Sequence, residues 1–165
     1  MIKHAIAIVS VASLALSPAV LAQITKYGVT VTAEKNVDFS TFKTYSWTPG
    51  RGAFVPDIDA HIKAAIEREM GALGMTKVAP DSGDVLLTYQ SLTRNDIDLK
   101  KDPSGDKPFS VGTLVVALLQ PSNHRQLLRL RTDKPIDVER GKLEASIDSA
   151  VTELFERYPT RTKKK

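Results

Sequence analysis

Cysteine is absent from all 165 positions. Its absence excludes disulfides, a thiolate nucleophile, cysteine-ligated zinc and a lipid anchor attached through a thiol. Histidine is nearly as scarce: beyond His4 there are only His61 and His124. The two are not paired with each other at helical or strand spacing, as a two-histidine metal site requires. His124 stands in turn chemistry beside Ser122 and Asn123. No Gly-x-Ser-x-Gly elbow and no glycine-rich phosphate loop occurs. The expectation is a protein that is not an enzyme and that holds no cofactor and no metal.

A strong charge imbalance is also missing once the ends are set aside. The formal net charge is +4, from 23 Lys and Arg against 19 Asp and Glu. Lys3, Arg161, Lys163, Lys164 and Lys165 lie at the termini, which leaves 18 basic residues against 19 acidic ones between them. A body so close to neutral lacks the concentrated basic face of a nucleic-acid module, so no nucleic-acid partner is expected.

What is present begins with an address. Lys3, the apolar run from Ala5 to Leu16 and the small-residue segment from Ser17 to Ala22 form the three parts of a secretory signal. The run is shorter than the ~20 residues of a spanning helix, and Pro18 interrupts its extension. Residues 1–22 are therefore read as a signal peptide cleaved after Ala22, with no transmembrane segment left afterwards. The expected product is periplasmic, and without cysteine it is not a lipoprotein. Residues 23–160 read as a single domain, followed by a basic tail over 161–165.

Within that domain the stretch from Ser110 to Thr132 carries the strongest pattern. Val111 to Leu119 is almost continuously apolar and β-branched, as a strand buried on both faces would be. Gln126 to Thr132 alternates like a half-exposed strand, and Pro121, Ser122 and Asn123 supply the turn of an antiparallel hairpin. Further strands are expected near 28–34, 42–47, 75–78 and 84–93. Ile58, Ile62, Ala65, Ile66, Met70 and Leu73 recur at helical spacing, with Asp57 as the expected cap and Gly74 as terminator. A second helix runs from Lys142 to Tyr158 on Leu143, Ile147, Ala150, Val151 and Leu154, with Asp137 as a candidate cap. His61 falls on the side away from Ile62 and Ile66, toward solvent. The polar run from Asn95 to Ser110 reads as a hairpin connection, because its aspartates lack the spacing of a calcium loop. The fold class is α+β: a mainly antiparallel sheet of about six strands with two helices packed on one face.

The candidate binding residues are arginines. Alternation places Arg125, Arg129 and Arg131 on one face of a strand, and Arg94 joins them if its strand is adjacent. Guanidinium forks match carboxylates and phosphates, so such a face suits an anionic partner; the competing reading is a solvated face paired to acidic side chains across the sheet.

The segments DFSTFKTYSW (Asp38 to Trp47), MGALGM (Met70 to Met75), DVLLTY (Asp84 to Tyr89), GTLVVALLQP (Gly112 to Pro121) and LFERYP (Leu154 to Pro159) together resemble the domain of unknown function 4136 family of bacterial envelope proteins. The resemblance covers essentially the whole chain after residue 22. It implies a periplasmic or outer-membrane location and no established enzymatic role. The family often has an aspartate where Ala117 stands, another near Gln120, and Trp-Arg-Gly where Leu128-Arg129-Leu130 stands. Many members also carry a lipid-attachment cysteine. If those positions formed a shared site, this chain has lost or altered it.

The function expected from these observations is an exported envelope protein acting as a binding or interaction module, with an envelope protein, a glycan or an anionic lipid as partner. The alternatives are a structural or assembly factor of an envelope complex, or a hydrolase whose site carries no recognised motif.

Overall fold

A computed structural model describes residues 28–161 apart from 99–100, 102, 106 and 137–138, and apart from the side chain of Arg140. The expected signal peptide, the Asp137 cap and the tail beyond Arg161 lie outside the described residues.

Six strands and two helices follow in the order β1 (Gly28–Ala33), β2 (Thr44–Trp47), α1 (Pro56–Ala72), β3 (Thr76–Lys77), β4 (Val85–Asp96), β5 (Phe109–Leu119), β6 (Gln126–Pro135) and α2 (Arg140–Phe155). They form one sheet in the order β1-β6-β5-β4-β2-β3. Strands β4, β5, β6 and β1 run antiparallel to their neighbours, but β2 is parallel to both β4 and β3. The sheet is thus mixed rather than mainly antiparallel throughout. The cause is α1, because a helix placed between two strands returns the chain to the starting end of the sheet and aligns them in parallel. Side-chain alternation is identical in the two pairings and carries no sign of direction.

Inward-facing Tyr45, Leu87, Tyr89, Val116, Leu118, Leu128 and Leu130 pack against Ile62, Ile66 and Met70 of α1 and Val151, Leu154 and Phe155 of α2. Both helices therefore cover the same face. The start of α1 differs from expectation: Val55 is the N-cap without a side-chain hydrogen bond, and Pro56 opens the helix. Asp57 and Asp59 stand in the first turn, where carboxylates complement the helix dipole. Its end follows the sequence closely. Gly74 adopts φ 79°, the Gly74 amide donates to Gly71 and the Met75 amide to Met70, the paired bonds of a Schellman motif. Strand β4 continues past Thr93 to Asp96, which shortens the expected loop to residues 97–108.

One irregularity changes which side chains share a face. At the closed end of the β5–β6 hairpin, Leu118 pairs with Leu128 but Leu119 with Gln126. Leu127 is the extra residue of this bulge and is buried in the core, not aligned with the arginines. His61 departs as well, since its Nε2 lies 3.2 Å from the Asp148 carboxylate of α2, which Arg68 also contacts at 3.0 Å. Its Nε2 is shut off from solvent and makes no hydrogen bond among the described residues, so the ring lies partly covered between the helices instead of facing open solvent.

Candidate functional site

The sheet face opposite the helices brings together three of the four candidate arginines. On β6, pleating turns Arg129, Arg131 and Asp133 outward, opposite Ala117, Val115 and Thr113 of β5. Arg94 stands on β4, on the other side of β5. The two strands are not adjacent, yet the long side chain of Arg94 crosses β5: its Nη1 donates to Thr113 at 3.0 Å and to Asp133 at 2.7 Å. Arg131 reaches the same carboxylate through Nε and Nη2 at 2.9 and 3.1 Å, and the Thr113 hydroxyl donates to it at 2.5 Å. Burial alone would raise the Asp133 carboxyl, but donation from Arg131, Thr113 and Arg94 outweighs it and holds the pKa down at about 2. Arg129 has no hydrogen-bonding or ionic partner among the described residues. Together with Gln90, Leu92 and Val115, the three arginines line a hollow of about 230 Å³. Arg125 is elsewhere: the bulge breaks the alternation linking it to Arg129, and it contacts Glu34 at 3.2 Å and the Gln120 side chain at the hairpin end.

The Asp133 carboxyl falls from its ordinary 3.8 to about 2 on folding. It therefore contributes stability that is complete above about pH 4 and disappears as pH falls through about 2. With arginines that remain partly in solvent, this amounts to about 1–2 kcal/mol. Asp133→Asn is expected to lower the melting temperature at pH 7 and to flatten the loss of stability between pH 4 and 2. An unchanged acid profile would show that Asp133 is not the linked group.

A second, polar hollow lies beside β2 and α1, lined by Trp47, Lys63, Glu67, Lys77 and Tyr89 among others. Trp47 Nε1 donates to Glu67 at 2.7 Å, Lys77 contacts the same carboxylate at 2.6 Å, and Asp59 accepts from the Tyr89 hydroxyl while pairing with Lys63 at 2.8 Å. Donation from Lys63 and Tyr89 lowers the Asp59 pKa. Glu67 is raised by burial but brought below its ordinary value overall by Lys77 and Trp47. A general acid needs the opposite shift. Asp59 and Glu67 are also eight residues apart on one helix, about 12 Å of rise, farther than the carboxyl pairs of glycosidases. This hollow is a set of satisfied ion pairs. Among the described residues no group of three or more His, Cys, Asp or Glu is placed to hold a metal.

The third feature escaped the sequence reading. At the end of the helix layer nearest the starts of α1 and α2, a cleft of about 370 Å³ opens between the helices and the sheet. Ile58 and Ile62 of α1, Leu143 and Ile147 of α2, Leu114 of β5 and Ile136 supply aliphatic walls. Thr132, 2% exposed, also lines the cleft, and its hydroxyl has no hydrogen-bond partner among the described residues. Among the described residues Lys134 is the one charged side chain in the lining, and it pairs with Glu153 at 2.5 Å. Phe54 and Val55 at the rim are 92% and 52% exposed. The helical spacing of Leu143 and Ile147 predicts core positions, because periodicity reports that a residue faces inward and not whether anything fills the space opposite. The signal that could have found the cleft is Phe54-Val55, an apolar pair stranded between Gly52 and Pro56.

A family model described as Domain of unknown function (DUF4136) matches residues 29–160. No curated protein matches the sequence. Among solved structures, the chain is similar to a PDZ domain protein from Parabacteroides distasonis ATCC 8503, with a TM-score of 0.56 and 15% identity over 84% of this chain. It spans only 36% of that protein's length, and the likeness is one of fold. The PelC dodecamer from Paraburkholderia phytofirmans follows with a TM-score of 0.49 and 11% identity, covering 78% of this chain and 96% of that one. A DUF330 protein from Xanthomonas campestris gives 0.43 and 15%, covering 78% and 89%.

Proposed function

We propose, from the premise that this chain belongs to the DUF4136 family, that it is an exported, non-enzymatic module of the cell envelope that binds a linear alkyl chain in the cleft between its helices and sheet. The cleft carries this reading. Its volume lies within the ~300–1,000 Å³ usual for ligand sites, and its lining is mostly apolar with a few polar groups, the ordinary composition of such sites. Aliphatic walls favour a chain of methylenes over a sugar or a flat ring, each buried CH₂ contributing about 0.8 kcal/mol. Lys134 retains ammonium donors beyond the one engaged by Glu153, which suits a carboxylate head group. Export is supported by the signal-like residues 1–22.

The test is made on protein purified from the periplasmic fraction, whose mass should correspond to a chain beginning at Gln23. Dodecanoate is expected to displace an environment-sensitive fluorescent fatty acid from it. Ser146, half-buried on the cleft wall, offers a way to block the space without removing a core side chain. Ser146→Phe should abolish displacement while keeping the wild-type melting temperature. Equal dodecanoate binding by the blocked variant would refute the cleft as the site.

A further inference from the structure

The outer sheet face bears a second site that owes nothing to the cleft. Three guanidiniums, of Arg94, Arg129 and Arg131, surround a hollow behind which stands the one carboxylate of Asp133. Among the described residues, the three arginines and Asp133 together carry a formal charge of +2. Asp133 is 13% exposed in its side chain and takes hydrogen bonds from Arg131, Arg94 and Thr113, so its charge is committed to fixing two of the arginines. Their planar forks are thereby held in place before any ligand arrives, which lowers the ordering cost of binding. Arg129 is different. It lines the same hollow, is partly exposed, and has no ionic or hydrogen-bonding partner among the described residues. Thr32 and Thr30 of β1 stand directly across from Arg129 and Arg131 on the same face, and both are exposed. Their hydroxyls add neutral donors beside the cations.

We infer that this face binds a phosphate monoester, with the guanidinium of Arg129 as its principal fork, the Arg131 hydrogens not taken by Asp133 beside it, and Arg94 closing the far side of the hollow. The charge decides between anions. A phosphate monoester carries about −1.5 to −2 near neutral pH and presents three acceptor oxygens, matching a +2 cluster of several forks. A lone carboxylate or a phosphodiester brings a single charge and would leave the cluster uncompensated. The monoester reaches the protein either as a small soluble molecule or as the head group of a lipid.

Two measurements on the mature protein separate these sources. Titration with inorganic phosphate reads the soluble form. Co-sedimentation with phosphatidylcholine vesicles doped with phosphatidate, against vesicles of equal surface charge doped with phosphatidylglycerol, reads the head group. Arg129→Glu is expected to weaken binding at least about tenfold, the effect of losing a charge-assisted hydrogen bond. Because Arg129 has no side-chain partner among the described residues, the variant should melt like the wild type; should it melt lower, Arg129→Gln serves in its place. Raised salt should weaken the wild-type interaction in the same direction. Phosphate binding that depends on Arg129 without vesicle binding assigns a soluble monoester, and preference for phosphatidate over phosphatidylglycerol assigns the lipid. The inference is overturned if neither form binds, if phosphatidylglycerol binds equally well, or if the Arg129 variants bind as the wild type does. Dodecanoate displacement in Arg129→Glu should be unaltered, so failure here is distinguishable from failure of the cleft.

Discussion

Ile66→Asp is expected to leave no folded protein at room temperature. Ile66 is 0% exposed, on the stripe of α1 that faces the sheet. Truncating an aliphatic side chain at such a position costs about 2–5 kcal/mol. Placing a carboxylate there adds several more, through an unpaired buried charge or through the protonation that avoids it. The sum reaches the about 5–15 kcal/mol that separates folded from unfolded states in ordinary domains. Circular dichroism and urea titration would show the loss of the cooperative transition. Ile147→Asp makes an informative comparison, because Ile147 is only half-buried and borders the open cleft. Water can reach a carboxylate there, and a smaller loss of about 1–2 kcal/mol is expected. Wild-type melting of Ile66→Asp would mean that α1 does not dock on the sheet.

The second large effect concerns the far end of the described chain. Sequence alone places Arg161 in a basic tail, yet its Nη2 donates to Glu69 of α1 at 2.7 Å, and Glu69 also accepts from the Thr152 hydroxyl of α2 at 2.8 Å. Glu69 is 7% exposed, so it is a buried carboxylate held, among the described residues, by one cation and one hydroxyl. Removing the cation strands the charge, which costs more than the pair itself contributes. Arg161→Ala should therefore destabilise by about 2–3 kcal/mol, and Arg161→Lys by less. In the double variant Glu69→Gln with Arg161→Ala, much of the loss should return, since no unpaired charge remains. Additive losses would show that the two residues are not coupled and that the chain end is not fastened at Glu69.

Much of the architecture follows from local pattern alone. Two-residue alternation marks β6, continuous β-branched apolar sequence marks β5, and three-to-four spacing marks both helices, because each periodicity is imposed by the geometry of its own element. Gly74 ends α1 for a similarly local reason, a left-handed backbone that glycine adopts without strain. The same information places Arg129 and Arg131 on one face. It stops where the physics becomes non-local. Whether β2 meets β4 in parallel or antiparallel is decided by the path of α1, whereas alternation is the same in either direction. The bulge at Leu118 and Leu119 separates Arg125 from the other arginines and buries Leu127, and it arises from pairing between two strands rather than from either strand's composition. Asp133 gathers Arg94 and Arg131 only because β5 lies between their strands and long side chains can cross it. The cleft is the furthest from the sequence, since Leu143 and Ile147 carry the pattern of core residues and only the spacing of the helices over the sheet leaves their neighbourhood unfilled.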